Sequence, residues 1–159
     1  MATHTCFVIP VVMHIHNYLH PYLVSDKGVN RMRIAKNDID VKMEIPGAVI
    51  RQQTGFGDAT GLGEISGEFF SLSAGVDTTP LFLGLDGNMC QCPHWGYVIQ
   101  GELTTTDGNG QQETVSANDL FYWPPGHNVK VTADAEIVMF SPQDKHSHVI
   151  SHMIEKVSG

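Results

Sequence analysis

Two cysteines and two histidines in this chain have the types and spacing to do chemistry. Cys90, Cys92 and His94 lie within five residues of one another, and His127 follows the corner Pro124-Pro125-Gly126. Along an extended strand successive side chains alternate between faces, so Cys90, Cys92 and His94 are predicted to point the same way. Thiolates and imidazoles suit a soft or borderline divalent metal, Zn(II) or Fe(II) before Mn(II). His127, arriving on a second strand, would add a ligand from across a barrel. The competing reading is plain packing, since a free cysteine often behaves as a small buried hydrophobe. A Cys90–Cys92 disulfide is disfavoured, because same-face residues two apart stand about 6.5–7 Å apart at Cα, the strained end of the range. Redox sensing through the same two thiols is a further alternative.

Other residues invite weaker readings. Glu68 and Glu102 are the acidic residues expected near the same site, where one would act as a general base if buried. Trp95, Tyr97, Tyr122 and Trp123 can line a ligand mouth or simply pack. His146, His148 and His152 fall in a helical tail, with 148 and 152 on one face. His14 and His16 alternate on one face near the start. Neither histidine group has an obvious third ligand, so both read as exposed side chains able to bind Zn(II) or Ni(II) adventitiously.

The elements that must position these residues are short strands. Val41–Ile50, Glu68–Leu72 and Leu81–Leu85 are apolar runs, and the first two are separated by the glycine-rich loop 54–67. Cys90–Gln100 is the strand that carries the ligand candidates. Glu102–Thr106 and Gln111–Val115 are predicted to pair over Asp107-Gly108-Asn109-Gly110, whose residues tolerate positive φ. Leu120–Trp123 and Val129–Thr132 are predicted to pair about Pro124-Pro125-Gly126, and Glu136–Phe140 closes the set. Strands at this spacing with turn residues between them read as an all-β sandwich or barrel. His146–Val157 is the one good helical segment.

The run Cys90-Gln91-Cys92-Pro93-His94-Trp95-Gly96-Tyr97-Val98, together with Pro124-Pro125-Gly126-His127, resembles the two motifs of the cupin superfamily and is similar to a subgroup of small bacterial cupins. Counting back seven from Gly101 puts His94 where the family has its glutamate, Cys90 at its second histidine and Asn88 at its first. Asn118, Pro124 and Gly126 fit the second motif. Val129 takes its histidine position, and His127 lies two residues earlier on the same strand face. The resemblance implies a cupin jelly-roll β-barrel with a short C-terminal helix, and a homodimer. It departs from the usual three-histidine, one-glutamate site. Metal cupins include dioxygenases, isomerases and decarboxylases, so the fold does not choose a reaction. The expectation is a divalent transition metal at His94, His127, Cys92 and Cys90, acting on or holding a small molecule. A metal-free barrel that binds a small ligand is the alternative.

Composition sets the remaining bounds. The chain has 159 residues, a formal charge of −8, and only 16% charged against 42% hydrophobic residues. That length suits one domain, and the acidic balance argues against nucleic acid and anionic membrane surfaces. Residues 1–25 hold no Asp, Glu, Lys or Arg, yet prolines interrupt them and no signal-peptide or spanning pattern emerges. Residues 1–31 therefore read as an N-terminal arm or extension, 32–145 as the barrel and 146–159 as a helical tail. Three cysteines make no disulfide framework, which fits a reducing, cytoplasmic setting.

Overall fold

The computed structural model describes residues 33–57 and 63–158. The expected arm, with His14 and His16, lies outside the described residues. Among the described residues the fold is a seven-stranded antiparallel jelly roll followed by one C-terminal helix: β1 (Val41–Ile45), β2 (Ala48–Gln53), β3 (Ile65–Leu72), β4 (His94–Asp107), β5 (Gln112–Ser116), β6 (Leu120–Trp123), β7 (His127–Pro142) and α1 (Gln143–Ser158). Hydrogen bonding runs in the order β1-β2-β3-β7-β4-β5, and β6 pairs with β4.

Several elements differ from the pattern read in the sequence. The single strand expected over Val41–Ile50 is a hairpin, because Gly47 takes a φ of 85° that turns the chain between β1 and β2. The run Leu81–Leu85 is no strand; two short 3-10 turns, Thr79–Phe82 and Asp86–Asn88, occupy that region. Cys90–Gln100 and Glu102–Thr106 merge from His94 onward into one long β4. A bulge at Gln100–Leu103 resets its alternation, so that His94 and Val98 face inward before it and Leu103 and Thr105 after it. Gly101 sits in that bulge at φ 84°, where a Cβ would meet the Asp134 carbonyl oxygen at 2.1 Å. The Asp107–Gly110 hairpin forms as expected between β4 and β5. The hairpin about Pro124-Pro125-Gly126 does not: β6 and β7 both pair with β4 instead.

β7 explains how the barrel brings distant residues together. Its inward positions alternate through His127, Val129, Val131, Ala135, Ile137, Met139 and Ser141. A straight strand would hold its two ends, His127 and Ser141, about 46 Å apart. Both nevertheless touch His94: the His127 ring lies 5.2 Å from it by centroid, and Ser141 Oγ is 2.7 Å from its Nδ1. The β4–β7 ribbon therefore curls around the interior and returns on itself. α1 follows β7 without a loop and buries His146, Val149, Ile150 and Met153 in the core at the i, i+3, i+4, i+7 spacing.

Candidate metal centre

Cys90, His94 and His127 converge in the interior, with one ligand atom from each lying within 4.8 Å of the others. Cys90 precedes β4 and is fixed by backbone pairing to His127, with its N–H donating to the His127 carbonyl at 2.9 Å. Its thiol stands 3.4 Å from His94 Nε2. Two ligand atoms at about 2.0 and 2.3 Å from a tetrahedral zinc stand roughly 3.5 Å apart, so this pair already has the separation a shared metal requires.

Both histidines have one nitrogen tied off. His127 Nδ1 is 2.6 Å from the Pro124 carbonyl oxygen, which can only accept, so Nδ1 carries the proton and Nε2 keeps its lone pair. The Ser141 hydroxyl, 2.9 Å from Glu68 Oε2, gives its proton to that carboxylate and must accept from His94 Nδ1. His94 Nε2 is thus free on the Cys90 side. Burial holds His94 well below the ordinary histidine value, with the charges of His146 and His127 adding to the effect. Burial likewise lowers His127 to about 4, against the opposing hydrogen bond to Pro124. Neutral imidazoles are the ligand form. Without a metal, burial pushes the Cys90 thiol up to about 11, and its sulfur lies 3.4 Å from His94 Nε2 and 3.8 Å from the Cys92 carbonyl oxygen.

Cys92 is placed elsewhere. The chain bends at Cys92-Pro93 before β4 begins, which breaks the alternation expected for an extended run. The Cys92 thiol lies 3.5 Å from the Pro93 carbonyl and 3.9 Å from that of Pro142. It is as buried as Cys90, and burial, followed by the charges of Cys90 and Glu68, raises its thiol further above the usual range. Asn88, at the family's first histidine position, is exposed and accepts from the Gly84 N–H. Glu102 alternates outward, opposite Leu103, and accepts from Thr132 and Ser116.

A second group, Glu68, His94 and His146, also falls within 4.8 Å. Glu68 is 1% exposed. Its Oε1 accepts from Ser66 Oγ at 2.6 Å, His146 Nδ1 at 2.7 Å and Gln52 Nε2 at 3.0 Å, and its Oε2 accepts from Ser141. Burial favours the neutral acid, but the His146 charge and these hydrogen bonds outweigh it and hold the carboxyl below its ordinary value. With four donors on its carboxylate, three of them on Oε1, Glu68 is held as an anchor for the residues around it. His146 was expected in an exposed tail; it is 3% exposed. The sign was available in the sequence, since Val149, Ile150 and Met153 place it on the apolar stripe. His148 is exposed, and His152 donates Nε2–H to the Leu83 carbonyl at 3.1 Å.

The interior beside this group holds a cavity of about 50 Å³, lined by Cys90, His94, His127, His146, Trp123 and a wall of aliphatic and aromatic side chains. Trp123 is 5% exposed and its indole N–H has no partner. The Trp123 ring packs beside both histidines, 6.4 Å from His94 and 5.7 Å from His127 by centroid.

No protein-family profile matches the sequence, and no curated protein is similar to it. Solved structures are. Oxalate decarboxylase from Bacillus subtilis matches over 72% of this chain at 21% identity, with a TM-score of 0.51. The formate complex of Lactobacillus farciminis oxalate decarboxylase matches over 73% at 19% identity, with a TM-score of 0.50. These neighbours are cupins. The fold is the cupin fold. An RmlC-like cupin from Shewanella frigidimarina is also similar, over 69% of this chain and 88% of its own at 18% identity and a TM-score of 0.47. The present chain spans only 30% and 34% of the two decarboxylases. The B. subtilis enzyme has Mn(II) centres. In the present chain the candidate group is Cys90, His94 and His127.

Among the described residues no helix is long and apolar enough to cross a membrane.

Proposed function

We propose that this cupin holds one divalent transition metal, Zn(II) or Fe(II), through Cys90 Sγ, His94 Nε2 and His127 Nε2, and uses the remaining coordination position to bind or transform a small molecule. One observation carries the reading: both imidazoles are fixed at Nδ1, and a free Nε2 meets the Cys90 thiol at 3.4 Å. The thiolate favours Zn(II) or Fe(II) over the harder Mn(II). Cys92 is left out of the set, since its thiol is turned to two carbonyl oxygens.

A bound metal would polarise an oxygen of the ligand or acidify a bound water. The chain's own groups do the rest. The apolar wall excludes bulk water, and the Trp123 N–H offers a hydrogen bond to an acceptor atom. At about 50 Å³ the cavity is far smaller than the roughly 300–1,000 Å³ of sites for drug-sized ligands, so the ligand has only a few heavy atoms. A metal-free barrel that binds such a ligand remains the rival.

Elemental analysis of tag-free protein decides between them, comparing wild type with Cys90→Ser and His127→Ala. About one metal per chain, lost in both variants, is the expected result. No metal, or full retention in both variants, would overturn the reading.

A homodimer working in a reducing, cytoplasmic setting belongs to the same proposal. The exposed aromatic row Tyr122, Trp95 and Phe140 across β6, β4 and β7 supplies apolar surface for pairing, and sedimentation analysis checks it.

A further inference from the structure

We propose that Glu68 is the positioning residue of this centre: it holds His94 through Ser141 and α1 through His146, so that metal loading and seating of the C-terminal helix are coupled. The inference rests on the metal reading above and adds to it a structural consequence some distance from the ligands.

The chain of bonds is continuous. His94 Nδ1 reaches Ser141 Oγ at 2.7 Å, Ser141 Oγ reaches Glu68 Oε2 at 2.9 Å, and Glu68 Oε1 reaches His146 Nδ1 at 2.7 Å. All four residues are 3% exposed or less, so water does not compete for these groups. Each proton also has a defined place. The carboxylate accepts from Ser141 and from His146, which obliges Ser141 to accept from His94. Ser66 and Gln52 brace the carboxylate from β3 and β2, so it cannot turn to follow one partner and abandon the other.

Five elements meet around this carboxylate: β3 supplies it, β2 supplies Gln52, β7 Ser141, α1 His146, and β4 the ligand His94 by way of Ser141. The His94 and His146 rings are 4.4 Å apart by centroid. Once a cation is bound at Nε2, His94 becomes a stronger donor at Nδ1, and the Ser141 hydroxyl it polarises donates more strongly to the Glu68 carboxylate. The same ionised carboxylate anchors His146 in the second turn of α1. Coupling between binding events is reciprocal, so loosening α1 must weaken the metal.

Cobalt(II) titration of wild type, Ser141→Ala and Glu68→Gln tests this, read by the thiolate-to-cobalt absorption band and the ligand-field bands. Hydrogen exchange of residues 143–158, with and without Zn(II), is measured on the same proteins. Wild type is expected to bind with a thiolate band and to slow exchange in α1 on loading. Ser141→Ala should bind about ten- to a hundredfold more weakly, with shifted ligand-field bands and little response in α1. Should Glu68→Gln fail to fold, Ser141→Ala still decides, because it leaves the Glu68–His146 pair in place. A wild type without the thiolate band removes the metal reading and the coupling together. Wild-type affinity and spectrum in Ser141→Ala, or an α1 indifferent to metal in wild type, overturns the coupling alone.

Discussion

The two sides of His94 differ in one respect that decides their roles. Toward Glu68 the side chains are saturated: one carboxylate receives four donors from Ser66, Gln52, His146 and Ser141. Toward Cys90 they are not: the thiol and the two imidazoles stand beside a cavity that Trp123 also lines, and the Trp123 indole N–H has no partner. Both sides are equally buried. Burial of polar groups alone therefore does not mark a binding site. What marks it is hydrogen-bonding capacity that the protein itself leaves unused.

The comparison breaks most sharply at Glu68. Replacing it with alanine leaves His146 and Ser141 buried without their acceptor and should cost about 3–5 kcal/mol in urea unfolding of the metal-free protein. A loss below roughly 1 kcal/mol would mean that the saturated side is not structural. On the open side, Cys90→Ser should cost little in the metal-free protein but weaken zinc on the order of a hundredfold or more, read by chelator competition. Equal losses on both counts would erase the distinction.

Acid sharpens it further. An unfolded histidine titrates near about 6.5, whereas folded His127 titrates near 4. The unfolded chain then binds more protons between those values, so metal-free stability is complete above the unfolded value and falls as pH drops toward 4. His127 contributes up to about 3 kcal/mol of that fall, and His94 acts in the same direction. Unfolding midpoints of chelator-treated protein against pH should show the loss, and His127→Phe should flatten it. The smallest effect is expected at Cys92, where alanine should cost about 1 kcal/mol and leave metal content unchanged. Metal loss in Cys92→Ala would return that thiol to the ligand set.

Much of this was legible in the residues. Alternation and turn chemistry give an all-β chain, the Asp107–Gly110 hairpin and strand β6, and the thiol–imidazole spacing picks out Cys90, His94 and His127, which converge in the interior. Cys90 and Cys92 show where that reasoning stops. They are two residues apart and equally buried, yet the bend at Pro93 separates their directions, and alternation holds only while the backbone stays extended. Ser141 and His146 show another limit. Each carries a local sign, an inward polar position on β7 and a place on the apolar stripe of α1, but nothing local says what either will touch.

The sequence by itself determined that the chain is built of short strands with alternating faces, because side-chain periodicity is fixed by the local backbone. It also determined that thiol and imidazole groups would be carried along them. Only the tertiary structure decided which of those groups meet. Ser141 and His127 are separated by a long strand, and they share His94 because β4 and β7 curl together as a barrel closes. Closure is a property of all the strands at once, and no spacing within one of them contains it.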